Sequence, residues 1–121
     1  MTINLVAAIA GKALDGLFAR QTATAQNVAN AGSDNFTPVR VSFEDALREA
    51  AALRPGDTQA AVSARVTGVQ PGIDAPLPLD ANTVRLDQEI ATASETSARY
   101  AMLIGMLDRT MQIRQLAIKG G

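Results

Sequence analysis

Asp87 and Glu89 stand two residues apart at the start of a helical pattern, and paired carboxylates are the first candidates for acid–base or metal chemistry. The chain has no His and no Cys, so any such work would fall to carboxylates. On a helix, though, residues that share a face lie three or four apart, and i, i+2 side chains point in different directions. Asp87 and Glu89 are therefore expected in a solvated first turn, where negative charge complements the helix dipole. Met102, Met106 and Met111 could line an adaptable groove, although ordinary helix packing accounts for them too. Asn27 and Asn30 serve either as contacts between chains or as caps that satisfy loop backbone, and both readings stay open. No Gly-rich phosphate loop is present, so neither an enzyme nor a cofactor, metal or small-molecule substrate is expected.

The composition points toward packing instead. Hydrophobic residues make up 47% of 121, yet there is one Tyr, three Phe and no Trp, and many of the apolar residues are Ala. A core of Ala, Val, Leu and Ile, at about 25 cal/mol per Å² buried, leaves a thinly stabilised monomer and favours help from partner chains. The net charge of −1 divides as 0 over residues 1–35, −2 over 36–80 and +1 over 81–121. Phosphate binding needs clustered cations, so nucleic acid is not an expected ligand. The opening MTINLVAAIAGK has an Ala-x-Ala at Ala8 to Ala10, but no Lys or Arg precedes its apolar run, and a cleaved signal peptide is not expected. No apolar run approaches the roughly 18 residues that span a bilayer.

The elements that would position these residues follow from spacing. Ile3, Ala7, Ala10, Leu14, Leu17, Gln21, Thr24, Val28 and Ala31 alternate by four and three, which predicts an amphipathic helix over residues 3–30. Gly11 and Gly16 each cost up to about 1 kcal/mol in such a helix, so it depends on a partner surface. NVANAGSDNF (27–36) ends it, and Phe36 is expected to fold back onto the apolar helix surface. Ser42 is placed to cap a short helix over 43–53, with a Glu44–Arg48 pair, and Arg54-Pro55-Gly56 stops it. Residues 54–80 read as an extended Pro/Gly loop in which Ala61 to Val69 alternates like a strand. Asp80 or Asn82 then caps a final helix over 81–121. Its seam is Leu86, Ile90, Ala93, Ser97, Tyr100, Ile104, Leu107, Met111 and Ile118, widened by Leu103, Met106, Ile113 and Leu116.

Three stretches in this order resemble the flagellar axial proteins, most closely their proximal-rod subunits. Asn27, Val28, Ala29, Asn30, Ala31 and Phe36 match a segment of the form A-N-N-I-A-N-A-x-T-P-G-Y, with Ser33-Asp34-Asn35 where T-P-G is usual. Val41 to Ala50 is similar to the D-F-x-x-x-L stretch that follows. Asn82, Thr83, Val84, Leu86, Asp87 and Glu89 are similar to an N-x-V-x-L-D-x-E opening of the last helix; Tyr100 and the ending LAIKGG also agree. The resemblance implies a mainly α fold: long N- and C-terminal helices paired as an antiparallel coiled-coil-like hairpin, with a short middle helix and an extended, β-like loop. It implies stacking into a hollow rod in the periplasm. Partners would be other copies and other rod, basal-body and export-gate proteins. Export would run through the flagellar type III apparatus without a cleaved signal, and the lack of Cys suits an oxidising compartment. Subunit-interface residues would then be Leu14, Leu17, Asn27, Val28, Asn30 and Phe36 on the first half, with Leu86, Ile90, Tyr100, Ile104, Leu107, Met111 and Ile118 on the last helix. The alternative is a soluble helical adaptor or secretion chaperone that holds a partner helix in an apolar groove.

Overall fold

The computed structural model describes residues 3–74 and 84–120. Helix α1 runs Ile3–Ala29, strand β1 Arg40–Ser42, helix α2 Glu44–Ala51, helix α3 Gln59–Thr67, strand β2 Gly72–Asp74 and helix α4 Leu86–Lys119. The fold is mainly helical, and its two long helices pair: Gln21 reaches Ser97 and Asn27 reaches Glu89, so α1 and α4 run antiparallel. β1 and β2 form an antiparallel ribbon with Val41 opposite Ile73. Among the described residues, no helix is long and apolar enough to cross a membrane.

Helix α1 lies in the middle, against β1, α2 and α3 as well as against α4. It has two working faces. Leu5, Gly16, Ala23 and Asn27 share one face, and Leu17 and Thr24 lie on the next. The hydrophobic core is Leu5, Leu17 and Ala23 from α1, Val41, Phe43 and Leu47 from the β1–α2 corner, and Val62 and Val66 from α3. Of α4, Leu103 packs against this core only in part. Gly16 supplies the seat for Phe43, since a Cβ there would overlap the ring. The glycine that weakens α1 as an isolated helix therefore lets the core's one buried aromatic approach the backbone.

The middle segment departs from the expectation in three places. Ala61 to Val69 is not strand-like; most of it belongs to α3, which Thr58 caps by accepting from the Ala61 amide at 3.1 Å. Val62 and Val66 are both two-fold alternation and an i, i+4 pair, and the helical option buries both completely against α1 and α2. Ser42 does not cap α2: it closes β1, and Phe43 holds the cap position with no side-chain bond. The Glu44–Arg48 pair does not form either. Glu44 is taken by Arg20, and Arg48 pairs with Asp45. The short helix spans 44–51 instead of 43–53.

At the other turn, the residue in the left-handed conformation is Asn35 (φ 63°), not Gly32. Asn30 closes α1 by donating its amide and its Nδ2 to the Gln26 carbonyl. Phe36 is half-buried and is not among the residues packed on the core, where Phe43 stands instead. Asp80, Asn82 and the later half of PGIDAPLPLD lie outside the described residues. α4 starts at Leu86, with Arg85 at its cap position and no side-chain cap.

Candidate assembly surface

Two features of α4 decide what it can do: how it is held, and what it leaves bare. Glu89, Thr96, Leu103 and Thr110 recur every seven residues and form the line that turns toward α1. Its fully buried members are polar, Glu89 and Thr96. Glu89 is 0% exposed, contrary to the solvated first turn expected for it, and a buried carboxylate must be paired. Asn27 Nδ2 donates to Glu89 Oε2 at 3.1 Å, and Arg40 Nη1 stands 2.7 Å from Oε1. That Nη1 donates to the Val39 carbonyl at 3.1 Å and no donor is aligned on Oε1, so the Arg40 contact is an ion pair held by charge. Asn27 also clasps the Val39 peptide from both sides, donating to its carbonyl at 2.9 Å and accepting from its amide at 3.0 Å. One buried asparagine thus joins the end of α1, the chain entering β1 and the first turns of α4.

A second polar tie lies further along. Arg20 grips Glu44 with two nitrogens at 2.6 Å each, donates to the Val41 carbonyl at 2.8 Å and lies over the Phe43 ring at 4.9 Å. The Arg20 hydrogen bonds hold the Glu44 carboxyl at about 2, against an ordinary 4.5. Arg99 of α4 reaches the same carboxylate at 3.4 Å and pairs with Glu95 at 2.7 Å. Gln21 donates to Ser97 Oγ at 2.9 Å. Hydrogen bonds and ion pairs tie this half of α4 to α1 and to the β1–α2 corner.

The apolar seam read from the sequence is consequently turned aside. Leu86, Ile90, Tyr100, Ile104, Met111 and Ile118 are all exposed, Ile90 at 63% and Ile118 at 72%. Consecutive helical residues are about 100° apart, so the inward line through Glu89, Thr96 and Leu103 puts this seam roughly one residue step round the helix. Val28 is exposed on α1, whereas Leu14, Asn30, Phe36 and Leu107 are half-buried. Leu17 (2% exposed) and Asn27 (0%) are committed inside the chain, so they are not available as bare interface residues. Met102, Met106 and Met111 are exposed, not packed between helices. Phe18, which the seam omitted, is 67% exposed and lines a half-open cavity of about 290 Å³ with Leu17, Gln21, Thr96, Ser97 and Tyr100. Periodicity had a signal for Glu89, because it shares a heptad line with Thr96 and Leu103. Gly16–Phe43 and Arg20–Glu44 join distant parts of the chain, and local pattern carries no sign of them.

Compared with protein-family models and with curated proteins, the chain matches none.

Proposed function

We propose that the chain is a structural subunit that assembles helically through its terminal helices, similar in role to the flagellar basal-body rod protein FlgB. Its partners would be other copies and neighbouring rod, basal-body and export-gate proteins, in the periplasmic rod of a bacterial flagellum. The observation that carries this reading is the unburied seam of α4, a stripe from Leu86 to Ile118 that the chain's own hairpin leaves bare. Exposed apolar stripes of this length mark interfaces, and each side chain of this size contributes about 1.5–3 kcal/mol once fully buried. The motif order Asn27–Phe36, Val41–Ala50, Asn82–Glu89 supports the flagellar assignment.

Sedimentation of the purified chain over a concentration series tests assembly. Ile104→Asp, at an exposed position, should leave the monomer folded and abolish the larger species. A wild-type chain that stays monomeric throughout would overturn the reading. Deleting the chain from its source bacterium tests the flagellar part: rods should be missing and swimming lost, and intact rods would refute it. The half-open cavity at Phe18 and Tyr100 favours a second reading, an adaptor that seats a partner's apolar side chain. An adaptor should be a stable dimer with α4 strongly protected from hydrogen exchange.

A further inference from the structure

We infer, resting on the assembly proposed above, that the C-terminal arm of α4 docks in the acidic cleft beside α2 of a second copy, so that the chains join head to tail. Residues 111–120 are all exposed, and Ile113, Leu116 and Ile118 make the arm apolar. Arg109, Arg114 and Lys119 have no ion-pair partner among the described residues. Lys12 and Arg54 share that state, whereas Arg20, Arg40, Arg48, Arg65, Arg85 and Arg99 each stand within 4 Å of a carboxylate. The arm therefore offers unneutralised positive charge beside apolar side chains, and its occupant must be acidic with an apolar floor.

The cleft at the start of α2 has that chemistry. Phe43, Glu44, Asp45, Ala46 and Gln70 line a half-open space of about 290 Å³. Asp45 and Glu49 lie one turn apart on α2, both exposed; Glu49 has no ion-pair partner among the described residues, and Asp45 is paired with exposed Arg48 at 2.8 Å, a contact the arm's cations would have to share or displace. The arm cannot reach the cleft of its own chain. Arg99 touches Glu44, and Arg109 and Arg114 are ten and fifteen residues further along the helix, about 15 and 22 Å at 1.5 Å per residue. Donor and acceptor are thus different patches at different heights. A contact between unlike patches builds a ring or an open helix unless two copies exchange arms reciprocally, and a species larger than a dimer in sedimentation separates the first case from the second.

Charge exchange tests the docking by sedimentation. Arg109→Glu with Arg114→Glu in one chain, or Asp45→Lys with Glu49→Lys in another, should each raise the concentration for half-assembly by about tenfold or more. Mixing the two variants should restore assembly between them. The chain is free of Cys, so oxidising a mixture of Ala46→Cys and Leu116→Cys chains should link the two kinds to each other and neither to itself. If the wild type assembles while the exchanges have no effect, or Leu116→Cys links only to itself, the head-to-tail docking is wrong and assembly stands. A wild type that never assembles overturns both.

Discussion

Gly16 and Gly11 occupy the same helix and should respond oppositely to the same substitution. An alanine at Gly11 meets nothing within 4 Å, so Gly11→Ala should stabilise the chain by about 0.5–1 kcal/mol through helix propensity. At Gly16 the added methyl overlaps the Phe43 ring, and Gly16→Ala should cost about 1–3 kcal/mol despite the same gain in propensity. Urea midpoints of the two variants check the pair. Asn27→Ala removes both bonds to the Val39 peptide and one donor to buried Glu89, and should cost about 2–4 kcal/mol. Asn30→Ala, whose side chain bonds one carbonyl at the turn, should cost less than about 1 kcal/mol. Equal effects would place Asn27 and Asn30 in equivalent roles, which their surroundings contradict.

At the level of elements, two arginines act as straps whose carboxylate partners make the fold acid-sensitive. Arg20 holds the β1–α2 corner, and Arg65 of α3 binds both oxygens of Asp57 while donating to the Ala50 and Ala52 carbonyls at the end of α2. Hydrogen bonds from Arg20 and Arg65 lower Glu44 and Asp57 to about 2, from ordinary values of 4.5 and 3.8. A depressed carboxylate contributes stability that is fully present above its unfolded value and lost as pH falls through its folded one. Stability should therefore decline from about pH 5 toward pH 2, and Glu44→Gln should flatten that limb in denaturant titrations at stepped pH. The two long helices and the apolar stripe along α4 were legible because helical period repeats over many turns; that the chain leaves the stripe bare was not. α3 was not, since Val62 and Val66 satisfy two periods at once and only packing against α1 and α2 chooses between them. The rotation of α4 was not legible either: Leu86, Ile90 and Tyr100 outrank Glu89 and Thr96 in hydrophobicity, and the polar partners that reverse that order sit on α1 and before β1.

For the whole molecule, unequal attachment of the two long helices implies unequal opening. α1 is covered on both sides, whereas α4 packs chiefly on α1 and is exposed at every residue from Met111 to Lys119. Hydrogen exchange on the monomer should show protection across residues 14–27 and across α3, lower protection in residues 86–110 and almost none in 111–119. Uniform protection along α4 would contradict this. Among the described residues, the buried hydrophobic core lies wholly between Leu5 and Val66. A chain emerging from the ribosome has thus made every residue of that core before the first turn of α4 exists. The hairpin contacts, separated by 62 to 76 residues, come later to a surface already formed. Order in time then follows order in sequence, and α4, the helix proposed to meet the next subunit, is the last piece to settle.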